Sequence, residues 1–86
     1  MDNRQYIELA QRKNAEASSL AAAQIAREHA RVVIQRLQQN IEKMPSERGF
    51  LSEPLEIWRK IYAAQDEACA RHQASLDRIE MELLRY

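Results

Sequence analysis

Both prolines and the only glycine of this chain fall within residues 44–54, and the long stretches on either side contain neither. Proline lacks an amide hydrogen and disfavours the helical conformation in the residue before it, so Pro45 predicts the end of a helix. A fold built from β-hairpins needs turn-forming residues throughout the chain, and this sequence lacks them. The sequence therefore predicts an all-α protein with one chain reversal.

Residues 45–53 are predicted to form that reversal. Gly49 is expected to take a left-handed conformation there, because glycine adopts positive φ angles without steric strain. Ser52 or Glu53 is then expected to cap the second helix, with Pro54 at its first position, where a missing amide hydrogen has no consequence.

The two predicted helices cover about residues 3–44 and about residues 54–86. Either Asp2 or Asn3 can cap the first of them, which is expected to begin at Arg4. Helices of this length do not fit inside a compact globule, and a short connection favours antiparallel neighbours. We therefore expect a single domain, residues 1–86, in the form of a long antiparallel two-helix hairpin.

Apolar side chains recur in both halves with the alternating three- and four-residue spacing of a coiled coil. In the first half this seam comprises Tyr6, Leu9, Lys13, Glu16, Leu20, Ala23, Arg27, Ala30, Ile34, Leu37, Ile41 and Met44. In the second half it comprises Leu55, Trp58, Tyr62, Gln65, Cys69, His72, Leu76, Ile79, Leu83 and Tyr86. The hairpin is thus predicted to be coiled-coil-like, with Ile41 opposite Trp58 and Arg27 opposite His72.

More apolar side chains lie beside the seam than a two-helix hairpin can cover. With Trp58 added for its large ring, the predicted protein interface consists of Ile25, Val32, Val33, Ile57, Trp58, Ile61, Ala64 and Ala68. Exposed apolar rows of this length are typical of interaction surfaces. We expect the hairpin to pair into a four-helix bundle, as a homodimer or with a helical partner protein.

Polar residues interrupt the seam at Arg27, Gln65 and His72. A polar layer of this kind is expected to fix the register of the helices at some expense of stability. Alternatively, Arg27 awaits an acidic residue from another chain. Lys13 and Glu16 interrupt the N-terminal end of the seam, so about the first 16 residues are expected to pack least well.

The sequence contains no pattern that indicates a catalytic or metal site. Cys69 and His72 share a helix face, but a closed zinc site needs four ligands, and Ala30 and Arg27, expected opposite them, supply none. No phosphate-binding glycine loop, nucleophile elbow or HExxH motif is present. We expect no cofactor, no bound metal and no enzymatic activity.

The charge of the chain is balanced, with 13 basic and 13 acidic residues. It therefore has no general attraction to nucleic acid or to an anionic membrane. Arg27, Arg31 and Arg36 form the most basic stretch, and guanidinium groups suit phosphate. A helical-hairpin dimer that binds RNA or DNA through these arginines is one alternative, and a structural subunit of a helical assembly is another.

The single cysteine, Cys69, cannot form an intrachain disulfide, and no stretch has the pattern of a signal peptide. Purely apolar runs fall far short of the roughly 20 residues that cross a bilayer. We expect a cytoplasmic protein with no membrane segment, and its abundant Ala, Arg and Gln favour a bacterial source. The predicted function is a protein–protein interaction module: a small adaptor, chaperone or regulator that acts through apolar helix faces.

Overall fold

The computed structural model describes residues 2–85 of the chain as two long helices that pack against each other. Helix α1 spans Asn3–Lys43, a single 3₁₀ turn spans Pro45–Glu47, and helix α2 spans Arg48–Leu84. The hairpin measures 65 × 15 × 14 Å. The predicted all-α, two-helix hairpin is confirmed. None of the helices in the described residues is both long and apolar enough to cross a bilayer.

Local signals fix both ends of α1 as the sequence predicts. The Asp2 side chain accepts a hydrogen bond of 2.8 Å from the backbone amide of Gln5, which caps the first turn. At the other end the Met44 amide donates to the carbonyl of Asn40, and Pro45 then stops the helix. The tightly wound 3₁₀ turn that follows reverses the chain within a few residues.

The start of α2 differs from the prediction. The helix begins at Arg48, not at about residue 54, and the reversal is correspondingly shorter than residues 45–53. Gly49 is helical, with no positive φ angle, because the 3₁₀ turn has already reversed the chain. No side chain caps this helix, so neither Ser52 nor Glu53 has the predicted capping role.

Pro54 therefore lies inside α2, where it leaves one backbone hydrogen bond unmade. Because Pro54 has no amide hydrogen, it cannot donate to the carbonyl of Phe50, four residues earlier in an exposed part of the helix. The earlier start also places Leu51, half-buried, on the seam one turn before the buried Leu55. Burial of these leucines offsets the missing hydrogen bond.

The buried residues confirm the predicted seam. Those described as buried are Leu9, Ala23, Ala30, Leu55, Cys69, Leu76 and Ile79, all of them predicted seam positions. Tyr6 and Met44, at the two ends of the α1 seam, stay about half exposed. Tyr86, the last predicted position, lies outside the described residues. Two alanines and a cysteine make up much of this set, so the hairpin has a thin core.

The predicted register is wrong by about one heptad. Trp58 stacks on His29 instead of facing Ile41, and Arg27 contacts Asp66 instead of His72. The cause is the early start of α2. The connection is shorter than predicted, so each residue of α1 lies opposite an earlier residue of α2 than predicted. Because the seam repeats every seven residues, a shift of this size still brings seam against seam, so the core is preserved.

Candidate protein-interaction surface

One side of the hairpin is bridged by ion pairs between the helices. Arg27 Nη1 lies 2.8 Å from Asp66 Oδ1, and Lys13 Nζ lies 3.7 Å from Glu80 Oε1. We call these four residues the charged edge. The hydrogen bond to Asp66 raises the pKa of Arg27, which therefore stays fully charged. Arg27 thus has an acidic partner within its own chain, and its predicted role toward a second chain has no support in this geometry.

The opposite side of α2 carries a continuous apolar row. Its members, spaced alternately by four and three residues, are Phe50, Pro54, Ile57, Ile61, Ala64 and Ala68, and we call them the α2 stripe. Asp66 lies two residues from both Ala64 and Ala68, a rotation of about 200° on a helix, so the stripe faces away from the charged edge. Phe50 is 83% exposed and Ile57 is 50% exposed.

Helix α1 continues this surface with smaller side chains. Its contribution consists of Ala22, Ala26, His29 and Val33, which follow the same three- and four-residue spacing. The His29 and Trp58 rings stack with their centroids 5.5 Å apart and join the two helices on this side. We call the α2 stripe, these four residues and Trp58 the apolar face.

The apolar face brings together six of the eight predicted interface residues. They are Val33, Ile57, Trp58, Ile61, Ala64 and Ala68. Ile25, 72% exposed, and Val32 lie on the side of α1 that is turned away from α2, so they do not adjoin the stripe. Sequence reasoning missed Phe50 and Pro54, although their spacing from Ile57 is helical, because the helix was expected to start later.

The polar layer in the seam contains a pair that the predicted register did not reveal. His72 Nδ1 lies 2.7 Å from Glu16 Oε2, and each side chain is 30% exposed. A carboxylate only accepts, so the pair is a hydrogen bond when Nδ1 carries the hydrogen. Gln65 is half-buried on the seam and Arg27 is drawn aside to Asp66. The three predicted residues therefore do not form one layer.

The N-terminal end of the seam packs better than predicted. Leu9 is buried, and both polar interruptions find partners on α2: Lys13 pairs with Glu80 and Glu16 with His72. Both pairs depend on the observed register of the helices, which the sequence alone did not fix.

Two of the three arginines suggested for nucleic-acid binding are engaged within the hairpin. Arg31 makes hydrogen bonds of 2.9 and 2.7 Å to both carboxylate oxygens of Glu28, which raises the pKa of Arg31 and lowers that of Glu28. Arg27 is bound to Asp66, and Arg36 is exposed. A phosphate would have to compete with a carboxylate at the first two positions.

Cys69 is buried in the seam, one helical turn before His72. Among residues 2–85, no group of three or more His, Cys, Asp and Glu side chains is placed to hold a metal ion. The thiol contributes to packing as a small apolar group.

Comparison with models of protein families, with curated proteins and with solved structures finds no match to this chain. The chemistry of its surfaces is therefore the guide to function, and the apolar face is the feature that the fold itself leaves unexplained.

Proposed function

We propose that this protein is a non-enzymatic protein–protein interaction module that binds another protein molecule through the apolar face. The observation that carries the proposal is the exposure of Phe50 and Ile57 on a continuous apolar row. Removal of apolar surface from water favours association, and contiguous exposed apolar patches are typical of interaction sites.

The total surface of the hairpin supports this proposal. The chain exposes 6531 Å², whereas a compact protein of 10.1 kDa exposes about 5,300 Å². The difference of roughly 1,200 Å² reflects the elongated shape of the hairpin, in which each helix packs on one side only. A hairpin with so thin a core gains from a partner that covers its open side, which suits a small adaptor, chaperone or regulator.

Site-specific photo-crosslinking tests the proposal. Benzoylphenylalanine is placed at Ile57, on the apolar face, and, as a matched control, at Gln73, which is exposed on the same helix on the side of the charged edge. Irradiation of cells that produce each variant is expected to yield a protein adduct from position 57 and none from position 73. Absence of any adduct at 57, or equal adducts at both positions, contradicts the proposal.

A further inference from the structure

The α2 stripe matches itself when its direction is reversed. Glu47 precedes the α2 stripe by three residues and Arg71 follows it by three, so both continue its alternating three- and four-residue spacing. Together the stripe and these two residues form a series of eight positions. Set against its own reverse, the series places Glu47 opposite Arg71, Phe50 opposite Ala68, Pro54 opposite Ala64 and Ile57 opposite Ile61. Every residue of the stripe then meets another residue of the stripe.

We propose that the occupant of the apolar face is a second copy of this chain, with the two α2 stripes antiparallel about a twofold axis. The inference rests on the proposed function, since it assumes that the apolar face binds protein, and it adds the identity of the partner. A twofold interface uses the same patch on both molecules, so that patch must be complementary to itself.

The sizes of the facing side chains fit this arrangement. Phe50, the largest residue of the stripe and 83% exposed, falls opposite a small residue, Ala68, while two isoleucines meet near the axis. Large groups that alternate with small ones across an interface pack without voids or overlap. The pairing also joins alternate positions of the three- and four-residue repeat, as the layers of paired helices do.

Charge complementarity supports the same occupant. Glu47 and Arg71 are exposed, and neither forms an ion pair with any other residue of the described part of the chain. In the proposed dimer each Glu47 meets the Arg71 of the other copy, which gives two ion pairs at the ends of the interface. Charges at such a rim set register and exclude wrong partners more than they add affinity.

The elongated shape leaves room for a second copy. The hairpin exposes 6531 Å², about 1,200 Å² more than a compact protein of its mass, so pairing along one side would bring the exposed surface of each chain closer to that of a globular protein. Pairing of two hairpins produces four packed helices, in which the apolar face becomes an interior surface.

Charge reversal with mixing of variants tests this interface. Glu47→Arg alone and Arg71→Glu alone are each expected to weaken self-association, measured by light scattering and sedimentation, by about tenfold, because two attractions become two repulsions. An equimolar mixture of the two variants is expected to recover the dimer mass, since each Arg then faces a Glu. Asp77→Arg, on another side of α2, is the matched control and is expected to leave the mass unchanged.

The mixture also distinguishes loss of the interface from damage to the hairpin itself. A variant whose hairpin is damaged would remain damaged in the mixture, so recovery of the dimer mass shows that only the interface was affected. Ile57→Lys is expected to give a monomer with unchanged far-UV circular dichroism. If the wild-type protein stays monomeric across a roughly 100-fold concentration range that begins at the micromolar level, the second copy is not the occupant of the apolar face. The same conclusion follows if neither charge reversal weakens the dimer. If position 57 still crosslinks to a different protein, the proposed function stands while this inference fails.

Discussion

The charged edge and the apolar face flank the same seam, yet only the charged edge is complete within one chain. At the charged edge, Arg27 and Lys13 of α1 reach acidic residues of α2. On the apolar face, large groups such as Phe50 and Ile57 remain exposed. Helix α2 therefore carries two apolar surfaces, the seam that packs against α1 and the stripe whose largest side chains stay exposed.

Burial along α2 shows the same asymmetry position by position. One flank of the seam holds Ser52, Arg59, Asp66, Gln73 and Glu80, all exposed, and the other holds Pro54, Ile61, Ala68 and Ser75, all half-buried. The second flank is thus already partly covered by α1, and the apolar area still open to water on this side belongs chiefly to Phe50 and Ile57.

Removal of the Trp58 ring, which lies on the apolar face, is expected to change the free energy of unfolding more than any substitution at the charged edge. Trp58→Ala deletes a half-buried ring that joins the helices by stacking on His29, and the free energy of unfolding is expected to fall by about 3 kcal/mol in urea titrations. Trp58→Phe keeps an aromatic ring and is the control, with a loss expected below about 1.5 kcal/mol. An alanine variant as stable as the wild type would show that the apolar face does not join the helices.

Replacement of the polar seam pair is expected to have the next largest effect, and in the opposite direction. Glu16→Leu with His72→Leu is expected to stabilise the hairpin by roughly 1–2 kcal/mol, because the leucines bury apolar area where two polar side chains are now only 30% exposed. Glu16→Leu alone leaves His72 without its partner and is expected to be less stable than the double variant. Thermal unfolding of the double variant and of the single variants Glu16→Leu and His72→Leu checks this. Additive single substitutions would show that the two residues do not interact.

The seam, the hairpin and most of the apolar face could be predicted from the sequence. Apolar periodicity can be read from neighbouring residues alone, and it marks the helix faces that become buried. The register could not, since a seam that repeats every seven residues fits equally well after a shift of one heptad. The ion pairs of Arg27 and Glu16 depend on that register, so they could not be predicted either. Local proline rules placed the start of α2 at Pro54, whereas burial of Leu51 and Leu55 decides it.

Disruption of the charged edge is expected to have a smaller effect. Arg27→Ala removes the pair with Asp66 and is expected to lower the melting temperature by less than Trp58→Ala does, without any change in oligomeric mass. A lower oligomeric mass for Arg27→Ala than for the wild type would contradict this expectation and would place a protein contact at the charged edge. Salt at about 1 M screens exposed charges within a few Å, so the difference from wild type is expected to shrink there.

The pH dependence of this pair is also defined. Because the pKa of Arg27 is raised in the folded state, the contribution of Arg27 to stability is lost only at very alkaline pH. A pH scan from about 5 to about 9 is expected to leave this contribution constant.

The pair within α1 formed by Glu28 and Arg31 is expected to contribute least, since both side chains are exposed and only one turn apart. The direction in which this contribution changes with pH is nevertheless defined. The hydrogen bond from Arg31 lowers the pKa of Glu28 below its ordinary value of 4.5, so the carboxylate stabilises the helix above that pH. The contribution is lost as the pH falls through the lowered pKa of the folded state. Glu28→Gln is therefore expected to be slightly less stable than wild type at neutral pH, and the difference is expected to shrink as the pH falls through the lowered pKa of Glu28. Melting curves across this range check the prediction, and a variant that stays less stable at acid pH would assign Glu28 a role other than its charge.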